Sequence, residues 1–335
     1  MNKQELFQTA VAMVADNKGL LAADESTGTM GKRLASIGVE NVEDKRRDYR
    51  EMLFRSNGFG NYISGVILYD ETIRQNAADG TPLVKILQDC GTIPGIKVDA
   101  GAKELPGRSD EKITEGLDGL PDRVAEYYGM GARFAKWRAV IDIADGIPSR
   151  YAIHTNAHAL ARYAKICQEG GLCPIVEPEV LMDGAHDIAR CQDVTEEVLE
   201  AVFHELHLQE VYLEGTILKP NMVIAGKKCK TQAAPEDVAA KTIETLMRCV
   251  PAAVPGIMFL SGGQSEEDAT LHLDLMNAGK GLPWKLSFSY GRALQQSALS
   301  TWKGDNANVA AAQQAFLERA SANSRACAGT YSKAA

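Results

Sequence analysis

The sequence of 335 residues has no long apolar run, no excess of positive charge and no CxxC pair. No apolar run approaches the ~20 residues of a membrane-spanning helix, so we expect no membrane partner. The net charge of −8 excludes a general surface for nucleic acid, and any anion-binding site must therefore be local. Seven cysteines, an odd number, favour reduced thiols over a disulfide framework. Residues 1–19 have the form of neither a signal peptide nor an Arg-rich transit peptide. These features together predict a cytoplasmic protein.

Low-complexity tracts and Pro- or Ser-rich linkers are also missing, which predicts one domain over residues 1–335. Short apolar runs alternate instead with longer helical patterns. The predicted strands are residues 20–24, 62–69, 95–99, 134–141, 174–180, 212–219, 256–261 and 285–290. The predicted helices include residues 81–90, 120–131, 156–171, 194–206, 236–250, 265–279 and 308–327. Thr195 and Ser265 are expected to cap the helices that they begin.

The alternation of strands with helices predicts the fold class. Eight strands that alternate with helices are typical of an α/β protein with a (β/α)8 TIM barrel, here with an extra N-terminal and an extra C-terminal helix. A doubly wound open sheet is the alternative. That fold usually carries a GxGxxG loop after its first strand, and the sequence has no such motif.

Charged and hydroxyl residues concentrate where the predicted strands end, which is the catalytic face of a TIM barrel. The residues at these ends are Asp24, Lys97, Lys136, Arg138, Glu177, Glu179, Lys219, Ser261, Gly262, Ser289, Gly291 and Arg292. Alternate residues of a strand share a face, so Lys136 and Arg138 point together while Trp137 faces the helices. One charged strand end is ordinarily just solvated. Six such ends on one rim predict a catalytic site.

Lys219 ends the apolar stretch LEGTILKPNM, and Pro220 stops the strand there. Alone it could be a solvated lysine. Like-charge repulsion among lysines in one barrel mouth lowers the pKa of an ammonium, which favours a nucleophilic amine. Lys219 is therefore the candidate Schiff-base lysine, with Lys136 as the neighbouring cation. Glu177 and Glu179 are the candidate acid and base, and Asp24 is placed to orient or deprotonate a substrate hydroxyl.

The first of two predicted anion sites joins SGG at residues 261–263 to SYGR at residues 289–292. Glycines let backbone N–H groups approach a phosphate, Ser261 offers a hydroxyl and Arg292 offers a charged fork. The loops after strands seven and eight are the usual phosphate site of a TIM barrel. A plain tight turn is the structural alternative for SGG.

The second predicted anion site is ESTGTMGKR, residues 25–33, which combines hydroxyls, a helix N-terminus, Lys32 and Arg33. It resembles a nucleotide-binding P-loop only superficially, because too few residues separate its glycines and an arginine stands where Ser or Thr belongs. Two phosphate sites with a lysine between them suggest a substrate phosphorylated at both ends. A Schiff base at its ketone would permit aldol cleavage.

Eight segments resemble class I fructose-bisphosphate aldolase, in order along residues 6–330. They are LLAADESTGTMGKRL, GVILYDET, GIKVDAG, FAKWR, IVEPE, YLEGTILKPNM, FLSGGQS and SFSYGRALQ. The resemblance implies a carbon–carbon lyase, an aldehyde-lyase of glycolysis and gluconeogenesis, that needs no metal or other cofactor. Its substrate would be the sugar bisphosphate fructose 1,6-bisphosphate, cleaved reversibly to dihydroxyacetone phosphate and glyceraldehyde 3-phosphate. Members of the family are typically homotetramers.

The resemblance also implies residue roles. Lys219 would form the Schiff base with Glu177 as acid and base, supported by Lys136 and Glu179, and Asp24 would handle the carbon-4 hydroxyl. The residues implied for the carbon-1 phosphate are Ser261, Gly262, Gly291 and Arg292, and Ser289 is expected to line the same site. The residues implied for the carbon-6 phosphate side are Ser26, Thr29, Lys97 and Arg138. Arg33 matches a mobile arginine near the phosphates.

The sequence departs from the animal members of the family at two points. Thr29 stands where they have serine, a change that keeps the hydroxyl. Their chains end in a flexible tail whose last residue, a tyrosine, takes part in proton exchange on the enamine, whereas this sequence ends TYSKAA. That role is not transferred to Tyr331, so the group that protonates the enamine is left open.

Three other readings remain at this stage. A metal-dependent aldolase needs a His-rich ligand set, but the pairs His154/His158 and His204/His207 come with no carboxylate at a strand end. A barrel retained as a binding protein would form no Schiff base. An aldolase of wider range would also accept sedoheptulose bisphosphate, and the two anion sites fit either sugar.

Overall fold

The computed structural model describes residues 1–279 and 281–331. In these residues the chain closes a parallel barrel in which each strand pairs with the next and the last pairs with the first. The barrel strands are β1 Gly19–Ala23, β2 Ile63–Leu68, β3 Ile93–Lys97, β4 Phe134–Ile141, β5 Cys173–Val180, β6 Ile217–Leu218, β7 Gly256–Phe259 and β8 Lys285–Tyr290. The barrel is filled and covered by apolar side chains, as a parallel sheet requires. The prediction of a TIM barrel is confirmed.

Helices surround the barrel and connect its strands. They are α1 Lys3–Met13, α2 Thr27–Ala35, α3 Glu43–Phe54, α4 Phe59–Tyr62, α5 Asp70–Ile73, α6 Leu83–Asp89, α7 Leu120–Gly129, α8 Arg150–Glu169, α9 Ile188–Leu208, α10 Pro235–Cys249, α11 Glu266–Ala278, α12 Arg292–Trp302 and α13 Val309–Cys327. Short 3-10 turns lie at Leu213–Gly215 and Asn306–Asn308. No helix within the described ranges is long and apolar enough to cross a bilayer.

The two extra helices sit at different places on the barrel. Helix α1 covers the N-terminal ends of the strands, where Leu6, Ala10 and Met13 are buried in one cluster with Phe134 and Met258. Helix α13 packs against α11 and α12 on the outside. Neither helix covers the carboxyl ends of the strands. Lys280 and residues 332–335 lie outside the described residues, and one domain over residues 1–335 stays a prediction.

The sixth strand is much shorter than the predicted 212–219. Residues 213–215 form a 3-10 turn because Gly215 passes directly beneath α1, where an added Cβ would lie 2.8 Å from the Cβ of Leu6. Apolar composition alone did not distinguish that turn from a strand. The other strand predictions are right in place and differ at their ends by a few residues at most.

The start of α9 was also predicted wrongly. The helix begins after Asp187, whose carboxylate accepts a hydrogen bond from the Arg190 N–H, and not at Thr195. The Thr195 hydroxyl is buried and accepts a hydrogen bond from the Asn221 side chain instead. Ser265 does cap α11, because its hydroxyl accepts from the Asp268 N–H at 3.0 Å. The hairpin of Ala102–Leu105 and Arg108–Thr114 was not predicted.

Candidate active site

A cavity of about 680 Å³ opens at the carboxyl ends of the barrel strands. It collects side chains from the ends of most strands and from helix α2. The predicted site residues that line it are Asp24, Thr29, Arg33, Lys97, Lys136, Arg138, Glu177, Glu179, Lys219, Ser261, Gly262, Ser289, Gly291 and Arg292. The strand periodicity on β4 held, since Lys136 and Arg138 face this cavity while Trp137 stacks on Tyr163 of α8.

Lys219 lies one residue beyond β6 and is held there by its neighbours. Its N–H donates to the Val176 carbonyl at 2.8 Å, which continues the pairing with β5. The side chain is only 5% exposed, and its Nζ lies 3.1 Å from Oε1 of Glu177. The lysine is therefore a buried amine with one carboxylate directly beside it.

Lys136 lies among carboxylates from three other strand ends. Its Nζ is 2.7 Å from Oδ2 of Asp24, 3.4 Å from Oε2 of Glu177 and 4.0 Å from Oδ2 of Asp99. Burial alone would lower the pKa of Lys136, but these carboxylates outweigh burial and raise the pKa above its ordinary value. The expectation that the pKa of each lysine in the mouth is lowered was thus wrong for Lys136. The sequence does not show which carboxylates reach it.

Asp24 is held as a carboxylate. Burial alone would raise its pKa, but the ammoniums of Lys136, Lys219 and Lys97 together hold the pKa of Asp24 well below its usual range. At neutral pH the group can therefore accept a proton or a hydrogen bond from a hydroxyl placed above it. Lys97 itself is tied to Asp99, with its Nζ 2.8 Å from Oδ1.

Glu177 and Glu179 have different partners although they share one face of β5. Glu177 lies between Lys219 and Lys136, whereas Glu179 pairs with the Nε of Arg138. Burial would lower the pKa of Arg138, but Glu179 outweighs it and raises that pKa. The unpredicted hairpin contacts β4, where the Thr114 hydroxyl donates to the Arg138 carbonyl at 2.7 Å. Glu177 is thus the carboxylate next to the candidate nucleophile.

The SGG segment, residues 261–263, follows β7 and lines the cavity where an anion site was predicted. Gly262 and Gly263 adopt left-handed backbone angles, with φ of +55° and +78°, which favour glycine. A Cβ on Gly263 would lie 2.6 Å from Nη2 of Arg292 and 2.6 Å from Nζ of Lys227. Across the cavity wall, the hydroxyl of Ser289 is buried and has no hydrogen-bond partner among the described residues. This end of the cavity therefore contains hydroxyl groups, two cations and glycine backbone that no side chain covers.

The residues of the other predicted anion segment differ in their positions. Ser26 caps α2 and does not reach the cavity wall; its hydroxyl accepts from the Thr29 N–H and donates to the Thr29 hydroxyl at 3.2 Å. Thr29 faces the cavity. Arg33 points toward β8, where its Nη2 lies 3.6 Å from the position of a Cβ on Gly291. Its Nη1 is 2.6 Å from Oε1 of Glu25.

Several residues of the site were missed from the sequence. Glu25, Lys227 and Asp183 line the cavity, and Asp99 lies just beneath it. Glu25 and Asp99 stand inside motifs that were recognised, so their neighbours could have indicated them. Lys227 and Asp183 lie on long loops, and no strand end or spacing marks them. Within residues 1–279 and 281–331, no three His, Cys, Asp or Glu side chains are grouped to hold a metal ion.

Comparison with known proteins decides the family. The family model described as glycolytic fructose-bisphosphate aldolase class-I matches residues 5–335. The chain belongs to the class I fructose-bisphosphate aldolases, a family of lyases. It is 58% identical over 328 residues to the cytosolic fructose-bisphosphate aldolase 6 of Arabidopsis thaliana, covering 98% of this chain and 91% of the relative. It is 56% identical over 332 residues to a protein of Xanthomonas campestris named "Probable fructose-bisphosphate aldolase class 1", with 99% of both chains covered.

The fold is likewise similar to a solved member of the family. The fructose-bisphosphate aldolase of Plasmodium falciparum, crystallised with TRAP and a small-molecule inhibitor, superposes with a TM-score of 0.98 at 50% identity. The match covers 99% of this chain and 96% of that one. The family and the fold implied by the sequence motifs are both confirmed.

Proposed function

We propose that the protein cleaves fructose 1,6-bisphosphate reversibly to dihydroxyacetone phosphate and glyceraldehyde 3-phosphate through a Schiff base on Lys219. The observation that carries this proposal is the contact of 3.1 Å between the buried Lys219 Nζ and Glu177. A Schiff base needs an amine, and a group beside it that moves protons as the carbinolamine forms and loses water. Membership of the class I family supports the same chemistry.

The roles follow the contacts. Glu177 accepts a proton from Lys219, whose amine attacks the ketone carbon, and Glu177 then returns that proton to the carbinolamine hydroxyl, which leaves as water. Lys136, between Glu177 and Asp24, supplies positive charge to both carboxylates. Asp24 then removes the proton of the carbon-4 hydroxyl, for which its lowered pKa keeps it ionised. The carbon 3–carbon 4 bond breaks, its electrons move into the iminium, and the aldehyde leaves.

The two ends of the cavity suit the two phosphates. For the carbon-1 phosphate we propose Ser261, Gly262, Ser289, Gly291 and Arg292, with Arg33 approaching from α2. For the carbon-6 phosphate side we propose Thr29, Lys97 and Arg138, with Ser26 acting through its hydrogen bonds to Thr29. Glu179 positions Arg138. Cations at both ends favour a bisphosphate over a sugar that carries one phosphate.

We further propose a cytosolic homotetramer, as the family resemblance implies and as the names of the plant relatives suggest for location. Four chains of 36.2 kDa give a mass of about 145 kDa, which light scattering after gel filtration measures directly. A mass of one or two chains would contradict the tetramer. In the proposed mechanism the iminium takes up the electrons, so the reaction needs no metal ion or other cofactor.

Borohydride trapping tests the function. The protein is incubated with dihydroxyacetone phosphate and EDTA, reduced with borohydride and mapped by mass spectrometry. The expected adduct lies on Lys219, is absent in Lys219→Met and is retained in Lys85→Met, a surface control. An adduct on another lysine would reject the role of Lys219. Loss of sugar-phosphate cleavage in EDTA would favour a metal-dependent reaction instead.

A further inference from the structure

We propose that Lys227 is a substrate-binding residue, the second cation of the carbon-1 phosphate site beside Arg292. The identity of the ligand rests on the function proposed above. The sequence motifs gave no role to this lysine, which lies on the loop that follows β6 and reaches the cavity. The proposal stands on the convergence of two like charges, on the anchoring of the loop and on the weak partner of the lysine.

The two cations meet above Gly263. The Nζ of Lys227 and the Nη2 of Arg292 each lie 2.6 Å from the point where a Cβ on Gly263 would stand. They are therefore no more than twice that distance apart. Two cations at that separation repel each other, and an anion between them relieves the repulsion. Because Gly263 has no side chain, the space between the cations is left free, next to the hydroxyl of Ser261.

Backbone hydrogen bonds fix the position of Lys227 on its loop. Its N–H donates to the Met182 carbonyl at 2.7 Å, and the next residue, Lys228, donates to the Gly184 carbonyl at 3.0 Å. The loops after β5 and β6 pass so closely that a Cβ on Gly226 would lie 2.3 Å from the Gly184 oxygen. This contact fixes the backbone of Lys227 at the edge of the cavity that the residue lines. Lys228 is exposed and does not line the cavity, so it is a natural control.

The present partner of Lys227 is a weak one. Its Nζ lies 3.3 Å from Oδ1 of Asp183, and the two side chains are 43% and 64% exposed. Exposed ion pairs of this kind stabilise a protein little, so the ammonium can leave Asp183 for a phosphate. Asp183 competes with the phosphate for Lys227. Removing the charge of Asp183 should therefore strengthen anion binding, whereas removing the charge of Lys227 should weaken it.

Steady-state kinetics with two substrates test the proposal. For Lys227→Met we expect KM to rise about tenfold for both fructose 1,6-bisphosphate and fructose 1-phosphate, with kcat within about twofold of the natural protein, since uniform binding is lost. Lys227→Arg should retain most of the affinity. Asp183→Asn should lower the inhibition constant of inorganic phosphate. Lys228→Met should change none of these values.

Two results would overturn the proposal. The first is a KM in Lys227→Met that equals that of Lys228→Met. The second is a rise for fructose 1,6-bisphosphate alone, which would assign Lys227 to the other phosphate. If borohydride traps no adduct and the natural protein cleaves neither sugar, the proposed function fails. Calorimetric titration with inorganic phosphate then still tests whether Lys227 binds phosphate. The proposal requires the affinity of the protein for phosphate to fall in Lys227→Met and to stay unchanged in Lys228→Met.

Discussion

Lys136 and Lys219 lie on different strands and share the carboxylate of Glu177. Each of these groups is almost fully buried, so its charge depends on its neighbours and not on solvent. Lys136 lies within 4.0 Å of three carboxylates, which raise its pKa, whereas Lys219 pairs with the carboxylate of Glu177. The roles proposed for the two lysines therefore rest on which carboxylates reach each of them.

Lys136→Met removes the cation that most strongly favours the charged form of Asp24. The pKa of Asp24 should rise, because burial then meets less opposition. We expect kcat to fall about 100-fold or more and the acid limb of the kcat/KM profile to move to higher pH. Lys136→Arg keeps the charge and should leave the acid limb near its original position. If the acid limb of the kcat/KM profile stayed at the same pH in Lys136→Met, the effect of Lys136 on Asp24 would be contradicted.

His272 is linked by hydrogen bonds to the loop of residues 261–263, so its protonation should affect the stability of the protein. Its Nδ1 lies 2.6 Å from Oε1 of Gln264, whose amide donates to the Ser261 carbonyl at 3.0 Å. Burial lowers the pKa of His272 more than Asp268 and Glu236 raise it.

The pKa of His272 is lower in the folded protein than in the unfolded chain. Below the ordinary histidine value of about pH 6.5, the unfolded chain therefore binds more protons than the folded protein. The stabilisation is present in full above that pH and is lost as pH falls below it. We expect the free energy of unfolding, measured with urea, to decrease below about pH 6.5. The pKa of His186 is also lowered, so the comparison with His272→Asn isolates one group. The variant should lose up to ~1.4 kcal/mol per pH unit of this slope. If the unfolding free energy of the natural protein and that of His272→Asn had the same slope against pH, the contribution of His272 would be rejected.

At the scale of single elements, the β3–β4 contact depends on a glycine. Gly95 lies opposite Phe134, and an added Cβ would fall 2.1 Å to 2.4 Å from carbons of that ring. Gly95→Ala should lower the free energy of unfolding by about 1–3 kcal/mol because the buried ring cannot retreat. Gly129→Ala in α7 is the matched control, with open space around the new methyl group, and should be neutral or stabilising by up to ~1 kcal/mol. Equal effects of the two substitutions in urea titrations would disprove this packing.

The bounds of strand β4 were predicted correctly although its burial is not uniform, since Arg138 is exposed within it. Strand β4 matches its predicted range because its apolar residues alternate with site residues and turns bound it. The sixth strand was drawn too long because Gly215 of the 3-10 turn packs against Leu6 of α1, a contact from a segment distant in sequence. A contact between segments distant in sequence also explains why Lys227 was not predicted, since its position depends on the loop after β5. What the sequence could not give are the contacts between loops that follow different strands.

At the scale of the whole molecule, a chain of net charge −8 has a cavity lined by more cations than anions, where we propose that the anionic substrate binds. The attraction is local and acts partly through solvent, so salt should screen it. We expect KM for fructose 1,6-bisphosphate to rise several-fold between about 20 mM and 200 mM sodium chloride, while kcat changes little. Sucrose at equal osmolality is the control and should have no such effect. A KM independent of salt would argue against electrostatic capture.

The placement of α1 determines when the barrel can be completed during synthesis. This helix leaves the ribosome before all the barrel strands, yet its buried face rests on residues as distant as Met258, and β1 pairs with β8 through Leu20 and Ser289. At 5–20 residues per second, those partners follow after an interval on the order of 15–60 s. Throughout that interval the apolar side of α1 has no complete surface to cover it. The growing chain therefore needs protection at its N-terminus until the final strand has been made.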